Sequence, residues 1–300
     1  MLKIAYSDVY AHDLPEGHRF PMVKYNLLVE QLLYEGTITK DNLFEPKPVD
    51  EKYILDTHDE DYWYRLSNIL LEKGEVRRLG FPLTEDLVYR EKVINQGTID
   101  CAKYAMEYGV SLNIAGGTHH SFTNKGEGFC LLNDIGMAAN YMLNYEKLER
   151  ILVIDLDVHQ GNGTAEIFQN ESRVFTFSMH GAKNYPMQKE NSDWDIGLPD
   201  GIEDEAYLQI LSDALPKLFD KVKPQLVFYQ SGVDVIYSDK LGRLGLSLNG
   251  CKERDRLVFK YCLINLVPVC VSMGGGYSQQ LAHIIEAHSN TFRLADQLFF

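Results

Sequence analysis

The sequence has no cysteine pair at the spacing of a metal site or a disulfide framework. Its five cysteines, Cys101, Cys130, Cys251, Cys262 and Cys270, are odd in number and widely separated. That excludes a thiolate zinc module and a disulfide-stapled scaffold. No apolar run reaches the roughly 18 residues of a membrane span. The first ten residues, MLKIAYSDVY, lack the basic stretch and apolar core of a secretory leader, so a reduced, cytoplasmic setting is expected. Positive charge is scarce: 29 Lys and Arg stand against 43 Asp and Glu, a formal net charge of −14. That balance disfavours a general nucleic-acid binder and a protein that docks on an anionic membrane. There is no GxGxxG, and no glycine run followed by Lys and Ser or Thr, so neither a dinucleotide fold nor a P-loop is indicated. Repeats, low-complexity tracts and Gly/Ser-rich linkers are also missing. The proline-flanked stretch EPKPVD (45–50) falls too early to bound a domain.

What is present is an ordinary globular mixture, 45% hydrophobic and 24% charged over 300 residues, ample for a buried core. Six short apolar runs read as strands: 2–6, 112–115, 150–157, 173–179, 225–230 and 268–273. They are β-branched or aromatic on both alternating faces, as strands covered on both sides are. Helical stretches lie between them, at 22–35, 86–107, 134–146, 204–221, 250–264 and 278–288. Alternating strands and helices predict an α/β fold with a central, mostly parallel sheet, read as one domain over 1–300. Four of the runs end in chemically loaded peptides: GGTHH, DLDVHQGNG, SGVD and GGGY. In open α/β sheets ligands sit beyond the carboxyl ends of the strands, so these four endings predict one convergent site.

Asp155, Asp157 and His159 alternate at a strand end and can project in related directions before the chain turns at Gly161. Alone they could equally be a surface-loop cluster. With Asp234 from another strand end they give two carboxylates and an imidazole, the donor set of an open, catalytic metal site. Those donors suit Zn²⁺ and Fe²⁺ alike. His119 and His120 follow Gly116 and Gly117, which permit close backbone approach, and two imidazoles allow separate acid and base roles. Tyr277, after three glycines, reads as a packing residue by itself, but beside a metal its phenol can donate to an oxyanion. Structural roles are expected for Cys130, for His180 within local hydrogen bonds, and for the Met and aromatic residues of 22–34, the core face of a helix.

Taken together, GGTHH, GEGFCLLND, DLDVHQGNGT, SGVD and GGGY, in that order, resemble the metal-dependent histone deacetylase superfamily from about residue 1 to about 290. HQGNG and SDKLGRLGLS are most similar to its class IV branch and bacterial relatives. The resemblance implies a single arginase-like domain that hydrolyses N-acyl-lysine with zinc. It implies Asp157, His159 and Asp234 as metal ligands, His119 and His120 as the tandem histidines, Tyr277 as the transition-state tyrosine, and Asp155 as the residue orienting His119. It further implies a structural K⁺ or Na⁺ held by Asp155 with the carbonyls of Asp157, His159 and Met179 and the hydroxyl of Ser178. Gly128, Phe129, Leu241 and Gly275 match the acyl-lysine tunnel, and Arg19 the arginine of an internal product channel. Where class I enzymes carry an aspartate behind the second histidine, this chain has Asn162, so His120 is expected to be less basic than in a class I site.

Expected substrates are an acyl-lysine peptide or protein, or a small N-acyl amine such as an acetylpolyamine. A polyamine specialist would carry an acidic rim, whereas Lys240 and Arg243 flank Leu241, with Asp239 alone leaving that reading open. An arginase-type ureohydrolase needs a bridged two-metal site, for which SGVDVIYSD offers only Asp234. Gly242 and Gly245 are expected to leave room for a long acyl chain. The acidic surface is expected to suit a peptide with basic residues around its acyl-lysine. Nothing in these motifs encodes an oligomeric state.

Overall fold

The computed structural model describes residues 1–300. Eight strands follow in chain order: β1 (Lys3–Ala5), β2 (Leu43–Phe44), β3 (Val110–Asn113), β4 (Ile151–Asp155), β5 (Val174–Gly181), β6 (Trp194–Leu198), β7 (Leu226–Gln230) and β8 (Val269–Ser272). They form one sheet in the order β2-β1-β3-β8-β7-β4-β5-β6, parallel at every pairing. β3, β4, β7 and β8 are buried at every residue, as their continuous apolar runs require. Beside the six expected strands, β2 and β6 close the two edges. Neither carries a doubly covered run: β2 is two residues long, and β6 alternates between half-buried and exposed positions until Leu198.

Ten helices cover the sheet: α1 (Lys24–Tyr34), α2 (Glu51–Leu55), α3 (Glu60–Ser67), α4 (Lys73–Leu79), α5 (Glu85–Tyr108), α6 (Asp134–Asn144), α7 (Asn162–Phe168), α8 (Asp204–Val222), α9 (Leu248–Ile264) and α10 (Leu281–Phe299). The four absent from the sequence reading, α2, α3, α4 and α7, are too short to show a helical apolar period. The longest, α5, starts where the Thr84 hydroxyl accepts the Leu87 N–H and ends at Gly109, a capped entry and a glycine exit. EPKPVD is no hinge, because Val49 is buried and its N–H donates to the Lys92 carbonyl on α5. No helix is long and apolar enough to cross a membrane, and all five cysteines are buried and unpaired.

The sheet's centre sets the position of the site. Asn113, Ser272, Gln230 and Asp155 lie abreast at the ends of β3, β8, β7 and β4, so the four loaded loops leave neighbouring strands at one level. A buried cation ties two of these loops to α9. Arg254, fully buried, donates to the carbonyls of Leu156, Ser231 and Gly232 and pairs with Asp255 at 2.8 Å. Asp255 in turn accepts from Tyr229 and Thr291.

Removing one partner of a buried pair strands the other charge. Arg254→Met is therefore expected to lower unfolding free energy by about 3–5 kcal/mol. Arg256→Ala, which breaks the exposed pair with Glu253, is expected to change it by less than about 1 kcal/mol. Denaturant titration of both variants checks the contrast.

Candidate active site

At the end of β4 the chain uses its own amides to fix carboxylates. The Asp157 N–H donates to Asp155 Oδ1 at 3.1 Å, and the His159 N–H to Asp157 Oδ1 at 3.0 Å. Two more strand ends join in: Gly275 N–H donates to Asp157 Oδ2 at 3.0 Å, and Val158 N–H to Asp234 Oδ1 at 2.9 Å. His159 Nδ1 then lies 3.1 Å from Asp157 Oδ1 and 3.2 Å from Asp234 Oδ2. Asp234 Oδ2 is buried without a hydrogen-bond partner. One donor atom from each of Asp157, His159 and Asp234 falls within 4.8 Å of the others, the only such three-residue group in the chain. An orphaned carboxylate oxygen and an imidazole nitrogen converging in a buried floor fit a divalent cation. The floor leaves no spare room, since a Cβ on Gly275 would stand 2.0 Å from Asp234 Oδ2.

With protons alone the cluster is frustrated. Burial, then the neighbouring Asp157 charge, pushes Asp234 up to about 7. Burial works against charge on His159 too, yet Asp157 and Asp234 outweigh it and raise the imidazole to about 10. A proton on His159 does the work that a metal ion would do, and metal binding would release it.

The tandem histidines stand beside this cluster with their rings 4.1 Å apart. His119 Nδ1 meets Asp155 Oδ2 at 2.7 Å. Burial disfavours its charge, but Asp155 and Asp157 prevail and lift it to about 9. His120 Nδ1 meets Asn162 Oδ1 at 2.6 Å, and Asn162 Nδ2 donates to Glu127 Oε1 at 2.9 Å. A carboxylate can only accept, so Glu127 fixes the amide's orientation. Asn162 Oδ1 therefore faces His120, whose Nδ1 must carry the hydrogen and whose Nε2 is left as a base. Burial, then His119 and His159, holds His120 far below its ordinary value.

A cavity of about 40 Å³ ends at these groups, lined by Asp157, His159, Gly275, Phe129 and Tyr277 among others. It opens to a mouth of about 580 Å³ that includes Gly128, Phe129, Leu241 and Tyr277. The Gly128 and Phe129 N–H groups donate to the Arg78 and Leu79 carbonyls, strapping this wall to the end of α4. Both residues have positive φ, 58° and 69°. Burial, then Asp234 and Asp157, pushes the Tyr277 phenol far up, so it keeps its proton as a donor.

Three expectations need correction. Arg19 does not enter an internal channel: it is exposed at the mouth, its guanidinium 4.9 Å over the Phe129 ring. The inner positions belong to Arg90, which lines the small cavity, and to buried Lys24, whose Nζ donates to the Gly274 carbonyl at 3.2 Å. Gly242 and Gly245 do not make acyl room. A Cβ on Gly242 would stand 1.9 Å from the Asp234 carbonyl oxygen, and one on Gly245 3.1 Å from that of Gly201, so both glycines serve backbone packing. The mouth is not acidic either: Arg19, Arg78, Lys183 and Arg243 line it with Glu127 as the one carboxylate. Net charge averages the whole surface, whereas a site responds within a Debye length of about 8 Å.

Asp239 offers no free acidic rim group, since it accepts the N–H groups of Leu241, Gly242 and Tyr277. Strand pairing sets Ser178 beside Asp155, but the Ser178 hydroxyl is engaged with His180 Nδ1 at 2.9 Å; Met179, next along β5, is fully buried. Residues the sequence reading passed over are Glu127, Lys24, Arg90 and Tyr185, whose ring stands 5.0 Å from that of His120. A lysine on the apolar face of 22–34 was the one visible signal among them.

A family model described as the histone deacetylase domain matches residues 18–292. The chain is 42% identical over 296 residues to an uncharacterized protein of Picosynechococcus sp., covering 99% of each. It is 32% identical to histone deacetylase clr6 of Schizosaccharomyces pombe, covering 87% of this chain and 67% of that protein. The crystal structure of a histone deacetylase homologue from Aquifex aeolicus superposes with a TM-score of 0.85 at 23% identity, covering 97% of this chain and 82% of that one.

The convergence of donors predicts about one tightly held divalent ion per chain. Asp234→Ala, which removes the orphaned oxygen, and Gly275→Ala, which crowds it, are each expected to leave close to none. Elemental analysis after dialysis against Zn²⁺ reads the difference, and retention of the ion by Asp234→Ala would contradict the assignment.

Proposed function

Because the chain belongs to the histone deacetylase family, we propose that this hydrolase cleaves the amide of an N-acyl-lysine with a short acyl group, acetyl above all. We read residues 1–300 as one catalytic domain of class IV type, on the strength of HQGNG and Asn162. The observation that carries the reading is the unequal pair of buried imidazoles, His119 backed by a carboxylate and His120 by an amide, beside the Asp157–His159–Asp234 cluster. Zinc held by those three residues would polarise the amide carbonyl and lower the pKa of water; Fe²⁺ suits the same donors.

The protein's own groups then divide the work. His120, neutral and with Nε2 free, takes the proton of the attacking water. Asp155 holds the His119 ring and sustains its positive charge beside the growing negative charge. Tyr277 donates its phenol hydrogen to the developing oxyanion. His120 then returns its proton to the departing lysine amine, with His119 giving electrostatic help. Phe129 and Tyr185 flank the substrate's methylene chain at the mouth. Asp155 and Ser178, with the carbonyls of Asp157, His159 and Met179, are the proposed K⁺ or Na⁺ site.

Support for a short acyl group comes from the inner cavity. Its 40 Å³ accommodates about three water-sized groups at the 10–15 Å³ each requires. That matches an acetyl group and falls well short of an octanoyl chain. Support against a polyamine substrate comes from a cationic mouth and a fully engaged Asp239. The single three-ligand cluster favours this chemistry over that of a two-metal ureohydrolase.

Three outcomes are expected. With acetyl-, octanoyl- and myristoyl-lysine peptides, kcat/KM falls as the chain lengthens, and equal values remove the cavity argument. Tyr277→Phe lowers kcat by about two to three orders of magnitude, the scale of a lost oxyanion donor; full turnover in that variant removes the role. Asn162→Asp, made with Glu127→Gln so that two carboxylates do not face each other, stabilises the His120 imidazolium and raises its pKa. The acidic limb of the pH–rate profile, which reports that protonation, then moves to higher pH. A stationary limb contradicts the assignment of His120 as base.

A further inference from the structure

The mouth has the opposite charge to the chain as a whole. Lys183 and Arg243 share one carboxylate, Asp200, at 3.8 and 3.4 Å. Arg19 and Arg78 form no ion pair, and Glu75, the acidic residue in the same turn as Arg78, is held by Arg65 at 2.7 Å. Glu127 is spent on Asn162, with Lys125 at 3.9 Å from its other oxygen. Even with Asp200 counted, the rim keeps two positive charges in excess on a chain of net charge −14. All four cations line the opening, and the fold positions the backbone of two of them. Arg78 lies in the last turn of α4, whose terminal carbonyls accept from Gly128 and Phe129, and Arg19 lies over the Phe129 ring.

We infer that the mouth recognises an anionic group on the amine side of the substrate: an N-acyl amine bearing a carboxylate at the far end of the methylene chain that carries its acylated nitrogen. The inference rests on the deacylase reading above, in which the acyl group occupies the inner cavity and the rest of the substrate stays in the mouth. The carboxylate reaches the rim from one of two sources. It is either an Asp or Glu side chain flanking an acyl-lysine in a peptide, or the α-carboxylate of a free Nε-acyl amino acid. In both, unpaired guanidinium groups provide forked donors matched to a carboxylate. Their attraction raises the encounter rate at low salt and is screened as salt rises.

The test compares four acetyl-lysine substrates on the zinc-loaded chain: a peptide with Asp on both sides of the acetyl-lysine, the same peptide with Lys flanks, free Nε-acetyl-lysine, and its α-amide. At low ionic strength the Asp peptide is expected to exceed the Lys peptide in kcat/KM by at least roughly tenfold, the lower end of electrostatic steering. The gap closes at high salt. Arg78→Glu and Arg19→Glu raise KM for the Asp peptide and lower it for the Lys peptide. Preference for the free acid over its amide, without an effect of flanking residues, assigns the anion to the α-carboxylate. Equal rates for both pairs, or preference for the Lys peptide, overturn the inference. If none of the four is hydrolysed, the deacylase reading fails. The rim is then decided by fluorescence anisotropy of labelled Asp and Lys peptides, tighter binding of the Asp peptide supporting it and equal or reversed binding overturning it.

Discussion

Two carboxylates are held side by side in a buried floor, and the rest of the site follows from that constraint. Asp157 and Asp234 come from different strand ends, are both buried, and are fixed by backbone amides. Like charges in so dry a place cannot both stay ionised unless a cation lies between them. His159 is the neighbour placed to share that cation. The sheet brings the three together because β4, β7 and β8 end at one level. Arg254 lies behind them and grips the carbonyls of the very loops that carry the two aspartates. Its charge is met by Asp255, and its hydrogen bonds hold the backbone of both loops in place.

A second consequence is the unequal treatment of the histidines. His119 is raised by Asp155 and Asp157 in spite of its burial, whereas His120 has only an amide oxygen behind it and is depressed by burial and by its neighbours. The same side chain is thus pushed toward its charged form at one position and toward its neutral form at the next. Glu127 completes the arrangement without raising His120, because the Asn162 amide stands between them. It orders the tautomer, and the proton affinity stays low.

Much of this could be read from the residues. The strands at the centre of the sheet carry continuous apolar runs, and their loaded endings follow at regular intervals, so the convergent site was visible as order and spacing. The edge strands escaped because half-solvated strands mix polar residues into their pattern, and β2 and the short helices because they span too few residues. Glu127 lay inside a motif noted for its neighbours, but only folding brings its carboxylate to Asn162. Arg19 was assigned by motif to an inner channel, while the chain path puts it over the outer face of Phe129. Gly242 and Gly245 looked like room, yet what a glycine leaves open depends on what packs against it, here backbone. The net charge misleads about the mouth, because four cations gathered at one opening vanish in the sum.

On this reading the buried carboxylate pair holds one ion that the hydrolysis requires. That requirement is tested most directly by measuring acetate released from an acetyl-lysine peptide by metal-stripped protein as Zn²⁺ is returned. No turnover is expected at the start, followed by a rise that levels off at one equivalent per chain. Full turnover by the stripped protein, or a requirement for a second equivalent, would contradict it.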